Sequence, residues 1–377
     1  MHSYIIAGKR TPLGSFQGQL SSLSAIELAT HVTSIVPVKE DVEELFFGHV
    51  LSANNGQNPA RQVCVKSGLN QAIGTQVNKV CASGMKAINI GHLNILDGAN
   101  CVVAVGSESM TNTPFYVPRS LKYGNTDLKD GVQHDGLTDP FHNVLMGECA
   151  DITAQKYEFT REQQDEFAVE SFRRAVEATE SGEFKNEILP VEIKGRNATT
   201  VIEDENIRKL RKDKMSSLRP VFTKTGTVTA ATSSPLSDGA AAVVICSDFK
   251  LQSYLKSNIL NKGQSVFKIL ACSDAEQDSR EFITSPHLAI PKALKKANLK
   301  IDDIAYFEIN EAFAVAGLVN SKLLNIPSSK VNIRGGAVAL GHPLGCSGVR
   351  IVVTLMNILI DKNAKYGCAG ICNGILS

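Results

Sequence analysis

The chain has 377 residues, more than one ordinary core holds, so two or three domains are expected. Its 39 Lys and Arg nearly balance 38 Asp and Glu, for a formal net charge of +1, so no global field favours a nucleic acid or an acidic membrane as partner. Hydrophobic residues make up 43% and charged residues 20%, the proportions of a soluble globular protein, and no apolar run reads as a membrane span. Nine scattered cysteines do not form a disulfide framework and fit a reducing compartment. Cys368 and Cys372 have no histidine-rich companion, so no metal site is expected. Met1 leads almost directly into a strand-like run with no signal or transit segment. That places the chain in the cytoplasm, or in the mitochondrial matrix if its start is a processed one.

In chain order, residues 3–7 read as a strand and 24–35 as a helix. Residues 42–50 pass from a short helix end into the strand Leu45-Phe46-Phe47, and 59–67 have helical character. Residues 76–80 read as a strand running straight into Cys81, and 82–96 have helical spacing with Met85, Ile88, Leu93 and Leu96 on the inner side. Residues 101–105 and 240–246 are continuous apolar strands. Residues 111–237 are more polar and less regular, with a charged amphipathic helix over 160–181 that offers Phe167 and Phe172 to an inner face. The basic run Arg208, Lys209, Arg211, Lys212 and Lys214 reads as a solvated face or as a surface for a nucleotide phosphate.

The last third repeats the plan of the first: strands at 266–271, 304–307, 331–333 and 367–371, and helices at 286–297, from 311 and over 347–360. Arg350, Thr354 and Asn357 make the last of these helices amphipathic. Strands alternating with helices imply sheets covered on both faces. The expected division is a first half over 1–110 with 237–257 returning to it, an irregular segment over 111–236, and a second half over 258–377.

Four stretches could carry chemistry. Cys81 lies where a strand gives way to a helix. There the helix macrodipole and free backbone N–H groups would lower the pKa of a thiol. Gly84 would let a bulky substrate approach the backbone. A buried, inert cysteine is the alternative. His342 lies in Gly335-Gly336-Ala337-Val338-Ala339-Leu340-Gly341-His342-Pro343-Leu344-Gly345, a backbone shaped for close ligand contact around a proton carrier, or simply a tight structural loop. Cys372 precedes Asn373-Gly374. Asn310 ends a strand where a helix begins and could equally be a helix cap. Both stand at sheet ends, where open α/β folds place ligands.

Taken together these stretches resemble the thiolase family. The matching strings are N-K-V-C-A-S-G-M-K-A around Cys81, N-E-A-F-A from Asn310, G-G-A-V-A-L-G-H-P-L-G-C-S-G around His342, C-N-G at Cys372, and G-T-V-T-A with S-D-G-A-A-A between Gly226 and Ala242. Within the family the resemblance is to the eukaryotic members that act on acetoacetyl-CoA. It implies a duplicated α/β fold: two mixed five-stranded sheets layered with helices as α/β/α/β/α, and residues 111–236 as a loop domain over coenzyme A. It implies reversible Claisen condensation of two acetyl-CoA through an acyl-cysteine. Cys81 would be the nucleophile, His342 its base and Cys372 the second acid/base. Asn310, through a water, and His342 would hold the enolate oxygen, and the amides of Cys81 and Gly374 would form a second oxyanion hole. Met146 and Phe313 would shape a short acyl pocket, with Phe222 and Ser234 near the pantetheine arm. No cofactor is implied, since coenzyme A thioesters are the substrates. A homodimer or homotetramer is implied, with neither nucleic acid nor membrane as partner.

The sequence departs from the family pattern at Leu145, at Thr232-Ser233-Ser234, and after Gly374, where only Ile375-Leu376-Ser377 follow and a final strand is expected to be missing. A broader-chain 3-ketoacyl-CoA thiolase, a ketosynthase-type condensing enzyme and a weakly active or inactive coenzyme A-binding relative are the alternatives.

Overall fold

A computed structural model describes residues 2–120, 123–195, 198–261 and 263–373. The first sheet is built from β1 (Ser3–Arg10), β2 (Glu44–Gly48), β3 (Ile73–Val77), β4 (Cys101–Ser109) and β5 (Ser237–Ser247). Its order is β1-β5-β4-β2-β3, with β2 parallel to both β3 and β4, and β5 antiparallel to its two neighbours. Every residue of β4 and β5 is buried, as apolar strands covered on both faces must be.

Helix α1 (Ala25–Thr33) opens on a capping box between Ser24 and Glu27, and α2 (Pro59–Lys66) opens with Pro59 in its first turn. Both cover the outer face of the sheet through the cluster of Leu28, Val32, Phe47, Val63, Val103 and Val244. The inner face meets α3 (Ser83–Leu96) through Phe46, Ile88, Ala104 and Val243.

Between the halves come the loop-segment helices α4 (Met146–Lys156) and α5 (Arg161–Glu180). The second half then supplies β6 (Phe267–Ile269), α6 (Ser285–Ala297), β7 (Tyr306–Ile309), α7 (Ala314–Leu324), α8 (Leu344–Asp361) and β8 (Gly367–Gly370). Helices α3 and α8 lie side by side between the first sheet and the parallel pair β7–β8, and α6 and α7 close the far side. That gives the expected α/β/α/β/α layering. Helix α8 is long and apolar enough to cross a membrane, but 83% of it is buried inside this fold. Its burial agrees with the amphipathic core helix that Arg350, Thr354 and Asn357 indicate in the sequence.

Several expectations are corrected. The second sheet is not five-stranded among the described residues: it holds β7, β8 and a single bridge from Phe307 to Val331, while β6 pairs antiparallel with β1 of the first sheet. The expectation about a final strand concerns residues from Gly374 onward, which lie outside the described ones. In α3, Leu93 and Leu96 face outward, at 58% and 41% exposure. The buried stripe is Gly84, Ala87, Ile88, Gly91 and Ile95, because a helix held between a sheet and another helix presents its small residues to both.

Candidate active site

The strand before Cys81 ends at Val77, three residues earlier than the alternation suggested. Residues 78–80 make a tight turn instead. Asn78 Oδ1 accepts from the Val80 N–H at 3.0 Å, Ser83 Oγ accepts from the Lys79 N–H at 2.8 Å, and Ser83 Oγ donates to the Val80 carbonyl at 2.6 Å. These bonds hold Val80 at φ +45°, a left-handed conformation that costs a β-branched residue about 1–3 kcal/mol. The strain turns Cys81 out of the strand line to the mouth of α3.

His342 sits between the short helix Ala337–Leu340 and α8. Its Nε2 lies 3.2 Å from Cys81 Sγ, and its Nδ1 lies 2.6 Å from Ser347 Oγ. Ser347 donates its hydroxyl proton to the Pro343 carbonyl at 2.9 Å, so toward Nδ1 it can only accept. The proton therefore resides on Nδ1, and the Nε2 lone pair faces the thiol. Asn310 follows β7 and brings its Nδ2 to 3.5 Å from the same Nε2.

Burial sets the protonation states. It lowers His342 to about 3, with the Arg350 charge adding to the effect. It pushes Cys81 well above its ordinary value, helped by the Cys372 and Glu108 charges and opposed by its own backbone amide. The expected thiolate-favouring shift from the helix terminus is thus overturned, because desolvation outweighs the dipole. Cys372 is pushed up to about 12 by burial. The resting site is two neutral thiols and a neutral imidazole.

The helices carrying this pair touch backbone to backbone. A Cβ on Gly84 would stand 2.6 Å from the Gly345 carbonyl oxygen, and one on Gly345 would stand 2.6 Å from that of Gly48. Gly84 therefore serves the contact of α3 with α8, and not substrate approach as the sequence suggested.

Cys372 shares a buried cluster with Met146, Phe313 and Val315, and Phe222 packs against it. Phe222 and Phe313 meet edge to face with centroids 6.0 Å apart. Ser234 is tied down, donating from both its Oγ and its N–H to the Ala312 carbonyl. Gly374 lies outside the described residues. In the basic run, Arg208, Lys209 and Arg211 pair with Glu180, Glu205 and Asp213, which leaves Lys212 and Lys214 without an ion pair among the described residues.

Three supporting residues were missed by sequence reasoning. Ser347, inside a string already singled out, fixes the tautomer of His342. Glu108 is fully buried at the end of β4, accepts from the N–H groups of Val50, Leu51 and Gly345, and pairs with His49. Glu311 accepts from Ser171, Asn332 and the Val338 N–H, pinning the glycine-rich segment before His342. The available signal was a lone acid ending an apolar run, since a buried carboxylate must find donors.

The thiolase N-terminal domain family matches residues 3–248 and the thiolase C-terminal domain family matches residues 264–376. The chain belongs to the thiolase family. An acetyl-CoA acetyltransferase of Candida albicans is 48% identical, over 98% of this chain and 94% of the relative. One of Gibberella zeae named as cytosolic is 48% identical over 98% and 95%. The crystal structure of the Ascaris suum thiolase Acat5 in complex with coenzyme A superposes with a TM-score of 0.91, at 42% identity over 99% of this chain and 97% of that one. In a thiolase, the arrangement above has one thiol facing a base and a second thiol buried within its electrostatic reach.

Proposed function

We infer that this chain is an acetyl-CoA acetyltransferase that condenses two acetyl-CoA to acetoacetyl-CoA and coenzyme A, and cleaves the product in reverse. The observation that carries this reading is the Cys81 thiol 3.2 Å from an imidazole nitrogen whose lone pair is aimed at it. The curated relatives named for this activity support it.

Cys81 Sγ attacks the thioester carbonyl as its proton passes to His342 Nε2. The protonated Nε2 then stands beside Asn310 Nδ2, so two N–H donors converge where an oxyanion develops. Cys372, a thiol at rest, becomes a base only by giving its own proton to the departing coenzyme A sulfur. The resulting thiolate takes an α-proton from the second acetyl-CoA. The carbanion attacks the acyl carbon, the carbon–sulfur bond to Cys81 breaks, and Cys81 recovers its proton from His342. Every proton is accounted for within these three side chains and the two substrates.

The Met146, Phe222 and Phe313 cluster closes around Cys372 with apolar side chains, which favours a short acyl group. The loop segment 111–236 is read as the cover over coenzyme A, a substrate and not a resident cofactor. Strand β3 edges the first sheet with Ile73 62% exposed, and a homodimer built there, or a tetramer of such dimers, is part of this reading. A cytosolic location is supported by the printed name of the Gibberella relative. Comparing turnover of acetoacetyl-CoA with that of a ten-carbon 3-ketoacyl-CoA tests the assignment. Acetoacetyl-CoA should be cleaved faster, and faster cleavage of the longer substrate would overturn the short-chain reading.

A further inference from the structure

Helix α4 begins at Met146 and presents Gly147 and Asp151 one turn apart on one face. That face meets the turn that bears Phe222. Residues 221–228 close on themselves: the Val221 N–H donates to the Val228 carbonyl at 3.1 Å, and the Gly226 N–H to the Thr223 carbonyl at 3.3 Å. The buried Asp151 side chain holds this turn from within. Its Oδ1 accepts from the N–H groups of Thr227 and Val228 at 2.8 and 2.9 Å, and its Oδ2 accepts from Thr223 Oγ1 at 2.7 Å. Among the described residues, every hydrogen bond of the Asp151 side chain goes to this turn. A Cβ on Gly226 would overlap the Asp151 carboxyl group, so only glycine at 226 lets the turn wrap it this closely.

Gly147 does for the aromatic ring what Gly226 does for the carboxyl group. It lies in the first turn of α4, where alanine would favour the helix. A Cβ there would nonetheless overlap Cδ2, Cε2 and Cζ of Phe222. The ring therefore rests on bare helix backbone, and it meets Phe313 edge to face beside the cluster that holds Met146 and Cys372. A half-buried aromatic on a surface turn would ordinarily exchange rotamers on a fast timescale. Here the turn is clamped behind the ring, and the seat beneath it is cut to the ring.

We propose that Asp151 and Gly147 set acyl-chain selectivity by fixing where the Phe222 ring stands. They are positioning residues, acting through the ring and not by touching the acyl group. The inference rests on the reading of Met146, Phe222 and Phe313 as the walls of the acyl end. Asp151 anchors the turn and Gly147 seats the ring, so losing either moves the same wall. An apolar wall that accepts or refuses one methylene changes kcat/KM by about tenfold or more, so a small displacement of the ring is enough to change the preferred chain.

The test measures thiolysis kcat/KM of the whole 377-residue protein for acetoacetyl-CoA and for a six-carbon 3-ketoacyl-CoA, in double-mutant cycles. The ratio of the two cancels the fraction of folded enzyme, so a merely structural role does not move it. Phe222→Ala should shift the ratio toward the six-carbon substrate by about tenfold. Asp151→Ala should shift it the same way by about fivefold or more, and adding it to Phe222→Ala should change the ratio by no more than about twofold. Gly147→Ala should change the ratio by about fivefold or more in the parent, and by no more than about twofold in the Phe222→Ala background, where the ring it collides with is gone. This second cycle decides the matter if Asp151→Ala does not fold. An unchanged ratio in Phe222→Ala, a ratio within about twofold of the parent in a folded Asp151→Ala or Gly147→Ala, or shifts that add in the double variants would overturn the proposal. Which substrate the parent prefers decides the short-chain reading separately, because the cycles compare variants with one another.

Discussion

Replacing Ser347 with alanine isolates the tautomer argument. Ser347 Oγ is fully buried, accepts from His342 Nδ1 at 2.6 Å and donates to the Pro343 carbonyl. It touches no reacting atom. The variant leaves the Nδ1–H buried without an acceptor, a penalty of about 1–3 kcal/mol. The imidazole escapes that penalty by moving its proton to Nε2, the nitrogen 3.2 Å from Cys81, where it can no longer accept from the thiol. If acylation must first restore the native tautomer, the barrier rises by the same amount, which is about 5- to 150-fold in rate at 1.36 kcal/mol per factor of ten. Rapid-quench mass spectrometry of the acetyl adduct on Cys81 measures that rate directly. Nitrogen-15 chemical shifts of the His342 ring measure the tautomer, a signature that a merely structural role would not move. Acylation within twofold of the parent, or an unchanged ring spectrum in a folded variant, would refute the reasoning.

Cys81→Ala should show no acyl adduct, whereas Cys372→Ala, lacking the acid for the departing coenzyme A sulfur, should acylate more slowly yet still accumulate the adduct on Cys81, and should lose condensation by about 10²–10⁴-fold; a folded Cys372→Ala with no adduct at any time would contradict these roles. Because Cys81 and His342 rest as neutral partners, iodoacetamide alkylation of Cys81 should keep rising with pH beyond 9, and a plateau between pH 6 and 8 would indicate a thiolate–imidazolium pair instead. His342 is held at about 3 against 6.5 when unfolded, so between those values only the unfolded chain binds this proton, and the contribution to stability falls as pH drops through the window. His342→Gln should show a shallower loss of unfolding free energy between pH 7 and 5 than the parent, and an equal slope would contradict it. Burial pushes Glu308 up to about 8 even beside Arg350, so Glu308→Gln imitates the neutral acid that prevails at pH 7 and should cost under about 1 kcal/mol in urea unfolding there; a loss of about 3–5 kcal/mol would mean that the pair is ionised. Sedimentation at micromolar concentration should show at least a dimer, and a 40.5 kDa species alone would contradict the β3 interface.

The strands and helices of the two halves were legible because β4 and β5 are uninterrupted apolar runs and α1 and α5 carry capping boxes that announce their starts. Cys81, His342, Asn310 and Cys372 were legible as members of motif strings, and the structure gathers the first three within hydrogen-bond range. What was not legible depends on long-range geometry. Val80 is an ordinary strand residue until Asn78 and Ser83 bend it. The inner face of α3 was misassigned because Leu93 and Leu96 satisfy the helical period, yet a helix buried on two sides selects for small residues. The protonation of Cys81 was misjudged because a dipole can be read from a helix start, whereas the depth of burial cannot. Glu108 and Ser347 act through partners 237 and 5 residues away, and neither spacing is a motif by itself.

The glycine contact between α3 and α8 separates two properties that enzymes often find hard to change independently. The reach of the Cys81 sulfur to His342 is set where main chain meets main chain at Gly84 and Gly345, with no rotamer between them to adjust. The side chains packed with Cys372, those of Met146, Phe222 and Phe313, which the proposed function places at the acyl group, are supplied by the loop segment and by the turn into α7. On the proposed function, substitutions there widen or narrow the accepted acyl group without disturbing the distance over which the proton moves. A fold arranged in this way can diversify its substrate length while its chemistry stays fixed.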